Sequence, residues 1–346
     1  MKNGTSIMMA VGIPLRSTRN YFTNRTLCVS FEVTHSCTAN CQHCDKGGLK
    51  KEDNLLPVKG YSALVSALRP PIIQISGGEP LLREGVTDIV RAIKQRNGLP
   101  YIVFVTNGSL LNEKEYKALK GAGVDRFSVS LDFPDERHDS FRRYRGLYAH
   151  LEETIPRLAA DFGYNDIVMN SAITQRNLPY LRELADRAEE WGVAISYSAY
   201  CILRTGSEDL FISSQEDLGM LRQSMLELIQ IKREKRHVLN SPVTFLKTYK
   251  FFRDGSIPDC AAGQKFLVVR PDGTLNPCSM FPKNQYSTQA EMMEDFTRNN
   301  KCGKCYVAIR AYSEMSLVEL AKEYASLVAQ YMSKKGRIAT EAQRKS

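Results

Sequence analysis

From residue 27 to about 240, short apolar runs alternate with longer stretches of helical period. The runs fall at 27–34, 72–76, 102–106, 126–132, 166–174 and 193–201. Their length and their Val, Ile and Phe content mark them as strands. Between them, apolar positions recur three and four residues apart over 59–68, 83–97, 112–121, 147–162 and 177–191, which predicts helices. Six strands alternating with helices predict parallel βα units with right-handed crossovers. A long helix over about 214–237, opened by a capping-box pattern at Ser213 and Glu216, is expected to cover their flank. Residues 241–258 read as a connector holding a short aromatic segment, Tyr249 to Phe252.

Beyond the connector the pattern changes. Phe266 to Arg270 predicts a strand and Pro271-Asp272-Gly273 a turn, since Pro presets one dihedral and Gly permits the left-handed one. The returning strand ends at Pro277-Cys278.

Cysteines change the picture most. Cys37-Thr-Ala-Asn-Cys41-Gln-His-Cys44 has the spacing C-x3-C-x2-C directly after the first strand. Three thiolates on one short loop can hold an iron–sulfur cluster, leaving one iron of a cubane open. A zinc site completed by His43 or a distant residue fits the same loop. A second set, Cys260, Cys278, Cys302 and Cys305, is spaced C-x17-C-x23-C-x2-C on the hairpin and its flanks. Four thiolates suit structural zinc and a fully ligated cluster equally. Cys28 and Cys201 read as small core hydrophobes, with Cys201, at the chemical end of the sixth strand, having the substrate cavity as its second reading. Trp191 reads as packing.

Composition sets outer bounds. The chain has 346 residues, enough for one large domain and a smaller one. Nine cysteines, an odd number at low density, and no secretory signal point to a reducing compartment, hence the cytoplasm. No run of 18 apolar residues occurs, so no transmembrane helix is expected. Of the net charge of +9, a surplus of eight sits on the two ends: Lys2, Arg16, Arg19 and Arg25 precede the first acid, and Lys334, Lys335, Arg337, Arg344 and Lys345 face only Glu341. Such ends are either solvated or drawn to an anionic surface, giving at most weak contact with a membrane. No nucleic-acid-binding motif is present, and no nucleic acid is expected.

A further segment points to a family. The second strand runs into Gly77-Gly78-Glu79-Pro80, where two glycines let a ligand approach the backbone and Glu79 offers a carboxylate. With the C-x3-C-x2-C loop, this resembles the radical S-adenosylmethionine enzymes. Arg126-Phe-Ser-Val-Ser-Leu-Asp132, followed by His138, Asp139 and Arg142, extends the likeness. The resemblance implies a partial (β/α)6 TIM barrel with chemistry at the C-terminal strand ends. It implies a [4Fe–4S] cluster on Cys37, Cys41 and Cys44 whose open iron binds S-adenosyl-L-methionine, and reductive cleavage to a 5′-deoxyadenosyl radical that abstracts a substrate hydrogen. By the same likeness His43 lies against the adenine, Gly78 accepts the methionine amino group, Ser130 meets the ribose, and Arg142 lies near the carboxylate or ribose. Gly77, Glu79 and Asn107 complete the expected cofactor site. Phe133 departs from the glycine common after the Ser-Leu-Asp strand.

Gly273-x4-Cys278 is similar to the start of the SPASM extension, but position 311 is alanine and no cysteine follows Cys305. The C-terminal part therefore resembles the shortened, twitch form, which implies one auxiliary [4Fe–4S] cluster on Cys260, Cys278, Cys302 and Cys305. The expected fold is α/β: a partial barrel with a small C-terminal β-hairpin/helix iron–sulfur module. The expected parts are a basic N-terminal segment (1–26), the barrel (27–240), the auxiliary module (241–312), a C-terminal helix (313–333) and a basic tail (334–346). The resemblance also implies a flavodoxin- or ferredoxin-type electron donor. The first expectation for the reaction is dehydrogenation, or epimerisation, of a small polyol or sugar-like metabolite by a radical oxidoreductase. The alternatives are a SPASM-type peptide maturase, with a peptide in place of a small-molecule substrate, and a zinc-stabilised binding protein without redox chemistry. Glu32, Asn170, Ser171, Ser196, Ser198 and Tyr200 join Asn107 as candidate cavity residues at strand ends.

Overall fold

The computed structural model describes residues 2–95, 98–162 and 166–322. The expected basic tail and the greater part of the 313–333 helix lie outside the described residues. Six strands, β1 (Cys28–Thr34), β2 (Ile72–Gly77), β3 (Tyr101–Thr106), β4 (Arg126–Ser130), β5 (Ile167–Ile173) and β6 (Ala194–Ala199), pair in parallel in sequential order. The sheet does not close: its order is β6-β5-β4-β3-β2-β1-β7-β8. This is the open, curved sheet expected for a partial barrel.

Alternation along the strands separates two environments. On β1, Val29, Phe31 and Val33 pack outward and are fully buried, while Ser30 and Glu32 face inward. On β2, Ile73 and Ile75 pack outward, while Gln74 and Ser76 face inward. Successive side chains point to opposite faces of a strand, so one polar residue in two is enough to build a polar cavity on an apolar scaffold. The outer core receives Tyr61 and Val65 of α2 (Val58–Leu68), Ile89 and Val90 of α3 (Val86–Ile93), and Tyr116 and Leu119 of α4 (Glu113–Ala122). Burying each such large side chain stabilises the fold by ~1.5–3 kcal/mol.

Helices α5 (Arg137–Arg142), α6 (Leu147–Phe162) and α7 (Leu181–Glu190) follow β4 and β5. The long helix α8 (Gln215–Lys235) is capped one residue later than expected: Ser214 Oγ, not Ser213, accepts from Asp217 N at 3.0 Å. Residues 241–258 are not a mere connector. Ser241 caps a helix, α9 (Pro242–Asp254), with Pro242 at its first position and Gly255 closing it. Its Phe251 and Phe252 are buried in the core. A helix precedes the barrel as well: Lys2–Phe22 forms an N-terminal helix, here named αN, which the sequence pattern did not announce.

The hairpin strands are β7 (Phe266–Val269) and β8 (Leu275–Asn276). They do not stand apart from the barrel. β7 pairs in parallel with β1, Cys28 opposite Phe266 and Phe31 opposite Val269, so the hairpin extends the barrel sheet beyond its first strand. Two short helices, α10 (Gln289–Asp295) and α11 (Ala308–Ser313), complete this region.

Candidate active site

The loop after β1 folds back on itself to gather three thiols. Cys37 N donates to Gly48 O at 3.0 Å, and Cys44 N to Cys41 O at 3.3 Å. Every thiol of the three receives a donor. Asn107 Nδ2 lies 3.5 Å from Cys37 Sγ, Arg142 Nη1 lies 3.7 Å from Cys41 Sγ, and Lys46 N lies 3.5 Å from Cys44 Sγ. Burial pushes the Cys41 thiol up to about 11 and Arg142 opposes it; burial likewise raises Cys37. Donors aimed at sulfur favour the thiolate, the form that binds metal. All nine cysteines are free.

The two glycines after β2 serve a backbone contact. A Cβ on Gly77 would lie 2.1 Å from Thr34 O, and one on Gly78 would lie 2.1 Å from Ser36 O. Gly77 also sits at φ +134°, where a side chain is strained. Gly78 N donates to Thr34 O and Glu79 N to Ser36 O, both at 2.8 Å. The close approach read from the sequence is therefore first of all that of the cysteine loop to the end of β2. Glu79 is fully buried and points away from the cavity. Its oxygens accept from Thr106 Oγ1 (2.8 and 2.9 Å), Asn107 N (2.8 Å) and Leu81 N (3.1 Å), bracing β2 against β3. Burial pushes its carboxyl up to about 7 despite these bonds. Asn107 spans from this brace to the cysteine loop through Cys37 and Thr38.

Arg142 and Asp132 form a buried pair, with Arg142 Nε 2.7 Å and Nη2 2.6 Å from Asp132 Oδ2. Burial pushes Asp132 upward, but Arg142 outweighs it with His43 and His138, so the carboxylate is held below its usual range. Phe133 packs against Phe141, and Phe141 stacks on His43 with ring centroids 4.9 Å apart and planes at 9°. Phe133 thus props the shelf on which His43 lies. Burial pulls the His43 pKa down to about 4, so the ring is neutral near pH 7, and its buried Nδ1 has no hydrogen-bond partner among the described residues.

The second cysteine set lies across the cavity. Arg310, fully buried, fastens it: Nη1 donates to Cys305 O (2.6 Å), Nη2 to Ile257 O and Pro258 O (2.8 Å each), and Nε to Glu314 (2.9 and 3.0 Å). Asn300 adds a tie, donating to Cys260 O at 2.7 Å and accepting from Cys302 N at 3.0 Å. Burial pushes Cys260 and Cys278 up to about 12 each.

A cavity of about 300 Å³ joins the two sets. At one end its wall includes His43, Cys44, Gly77, Ser130 and Arg142, and at the other Cys260, Cys278, Cys302 and Cys305. Between them lie Glu32, Asn170, Ser198 and Tyr200. Three candidates fall outside this lining: Asn107 backs the cysteine loop, Ser171 is fully buried beside Asn177 Nδ2, and Ser196 Oγ donates to Asn170 Oδ1 at 3.1 Å. Glu32 holds three partners: His35 Nε2 (2.7 Å), Ser279 Oγ (2.7 Å) and Lys46 Nζ (3.3 Å). Burial pushes its carboxyl up, but these groups outweigh burial and keep it ionised.

Sequence reasoning missed two participants, Arg204 and Arg310, and held the cavity-facing place of Cys201 only as its second reading. Cys201 is buried yet lines the cavity, with Sγ 3.3 Å from Lys304 O. Arg204, paired with Asp45 at 2.9 Å, faces the cavity beside Cys44. Arg310 was invisible because two of its partners, Ile257 O and Pro258 O, are backbone groups more than 50 residues away in sequence. Only the place of Cys201, at the chemical end of a strand, gave a signal.

The comparisons agree with this geometry. The profile of the radical SAM superfamily matches residues 31–193. A probable GTP 3′,8-cyclase of Methanococcus aeolicus is 33% identical over 293 residues, which is 80% of this chain and 91% of that protein. The chain belongs to the radical SAM superfamily. An AdoMet-dependent heme synthase of Methanosarcina barkeri is 28% identical over 283 residues, covering 75% of this chain and 78% of the relative. Among solved structures, Streptococcus suis SuiB bound to the precursor peptide SuiA superposes with a TM-score of 0.61 at 15% identity. That match covers 80% of this chain and 66% of SuiB, and it speaks for the fold alone. As a radical SAM protein the chain uses S-adenosylmethionine and a [4Fe–4S] cluster. Among the described residues no helix is long and apolar enough to cross a membrane.

Proposed function

We propose that the chain is a two-cluster radical SAM enzyme that oxidises a small polar substrate held between its two cysteine sets. The observation that carries this reading is the shared cavity, walled by Cys44 at one end and by Cys260, Cys278, Cys302 and Cys305 at the other. Cys37, Cys41 and Cys44 would hold the first [4Fe–4S] cluster, and the later four cysteines an auxiliary one within the 241–312 module. Three thiols each met by a donor, and a neutral His43 with an unpartnered buried nitrogen, fit a thiolate-bound cluster and an adenine-bearing cofactor. When bound, cluster and cofactor together supply a carbon radical that abstracts hydrogen from an unactivated C–H bond.

The chain's own residues supply the rest. His43 on its Phe141 shelf, the backbone at Gly77 and Gly78, Ser130 and Arg142 would orient the cofactor. Glu79 and Asn107 would act one layer behind, holding the loops that present those groups. Once the hydrogen atom is abstracted, oxidation of an alcohol releases one electron and one proton: the auxiliary cluster would take the electron, and Glu32, the carboxylate of the cavity lining, would take the proton, with Lys46, His35 and Ser279 fixing its position. The inward-facing Ser30, Gln74, Ser76, Asn170 and Ser198 offer hydroxyl and amide groups suited to a polyol. The names of the relatives range over heme, GTP and a precursor peptide, so none of those substrates is carried over.

The test is anaerobic incubation of the reduced protein with S-adenosylmethionine and carbon-deuterated polyols or sugars, reading deuterium in 5′-deoxyadenosine. Deuterium uptake together with a carbonyl product is the expected result. Uptake from peptides but from no polyol would overturn the substrate class.

A further inference from the structure

We propose that the N-terminal helix and the arginines beside it form a docking surface for an anionic lipid bilayer. Val11, Leu15 and Phe22 of αN are 62%, 69% and 70% exposed. With the exposed Thr18 they recur at i, i+4, i+7 and i+11, so they share one face of the helix. Single exposed apolar residues are ordinary, but a stripe on a terminal helix marks an interaction surface.

Next to the stripe is a concentration of positive charge. Arg16, Arg19, Arg25 and Arg69 line a pocket of about 250 Å³ together with Asn20 and Gln95, and no carboxylate is in that lining. Arg16 Nη1 is buried without a partner among the described residues, and its Nη2 is 3.5 Å from Gln95 Oε1. Burial depresses the Arg16 pKa, and Arg69 and Arg19 depress it further, so the group sits among like charges that an anion would relieve. The pocket has a fixed frame. Buried Asn20 donates from Nδ2 to Thr26 O at 2.8 Å and to Arg69 O at 3.0 Å, and Arg69 is held at φ +49°. Outside the pocket lining, Lys265 puts a further cation against αN, its Nζ 4.6 Å from the Tyr21 ring centroid.

Arginines bind phosphate oxygens through paired donors, and an apolar helix face enters the headgroup–acyl boundary. A soluble phosphate would account for the pocket but not for the stripe. A second copy of the chain would cover the stripe but bring two arginine clusters together. An anionic bilayer satisfies both at once. The surface lies at the N-terminal ends of β1–β3, opposite the cysteine loop, so a docked membrane leaves the cavity open.

The full-length protein is to be sedimented with vesicles of phosphatidylcholine alone and of phosphatidylcholine with phosphatidylglycerol. Binding only to the anionic vesicles is expected, weakened by salt. Each Arg→Gln change at 16, 19 or 69 should lower partitioning about fivefold, the equivalent of ~1 kcal/mol per cation near an anionic leaflet. Leu15→Glu with Phe22→Glu should abolish it, with circular dichroism and iron content as in the parent. Equal binding to both vesicle types, or no change in these variants, would overturn the proposal. So would loss of binding on deleting 334–346, which would move the surface to the tail. Saturable binding of inorganic phosphate without vesicle binding would assign the pocket to a soluble ligand, and a dimer dispersed by the Leu15/Phe22 variant would assign the stripe to self-association; either overturns it.

Discussion

Replacing Arg310 with Met should uncouple the second cysteine set from the barrel. The guanidinium is fully buried and makes hydrogen bonds to three backbone carbonyls, Cys305 O, Ile257 O and Pro258 O, besides its ion pair with Glu314. Methionine is close in length and apolar, so the cavity left behind is small. The cost arises from unsatisfied groups. Each buried carbonyl left without a donor costs ~1–3 kcal/mol, and removing one partner of a buried ion pair typically costs ~3–5 kcal/mol in total. Overlap between these terms sets an expected loss of ~3–5 kcal/mol, enough to loosen the segments around Cys305 and Ile257 while β7 stays paired with β1. Arg310→Lys should recover only part of it, because one ammonium cannot span three carbonyls and a carboxylate. The assay is iron and sulfide per chain after anaerobic reconstitution, with limited proteolysis of the C-terminal region. The parent should hold about eight irons and the variant about four, with cleavage appearing between 255 and 322. Parent-like iron content and protease resistance in Arg310→Met would refute the reasoning.

Gly78→Ala should disturb the first cysteine loop instead: its Cβ would sit 2.1 Å from Ser36 O, backbone that cannot swing aside, and a shift costing ~1–3 kcal/mol should reduce formation of 5′-deoxyadenosine, measured by chromatography. His138, fully buried with a pKa depressed to about 3 by burial and Arg142, resists a proton that the unfolded chain accepts near 6.5. Stability therefore falls as pH drops from 6.5 towards 3, and His138→Gln should flatten this part of a urea-midpoint profile relative to the parent. Cys302→Ala with Cys305→Ala should leave reductive cleavage of S-adenosylmethionine measurable while substrate oxidation is lost; oxidation at the parental rate would remove the auxiliary set from the reaction.

The barrel strands were legible because β-branched runs with one polar residue in two have few other uses. Glu32 and Ser198 could be placed at strand ends for the same reason. The N-terminal helix was hidden by Pro14 and by an apolar run too short to assign, and α9 by a clustered aromatic segment that masks the helical period after the Ser241-Pro242 cap. The pairing of β7 with β1 could not be read at all, since register between strands more than 200 residues apart is set by packing. The glycines after β2 signalled a close approach, but the sequence does not say what approaches them, and the structure places the cysteine loop there. Glu79 illustrates the same limit: its type suggested a ligand group, whereas Thr106 and Asn107, distant in sequence, occupy its oxygens.

The most direct test of the two-cluster account is Mössbauer quantification of iron in anaerobically reconstituted parent and in two variants, one with Cys37, Cys41 and Cys44 replaced by Ala, the other with Cys260, Cys278, Cys302 and Cys305 replaced. The account predicts about eight irons as two cubanes in the parent and about four in each variant, with 5′-deoxyadenosine formed by the second variant and not by the first. About four irons in the parent, unchanged when the later four cysteines are removed, or stoichiometric zinc in their place, would contradict it.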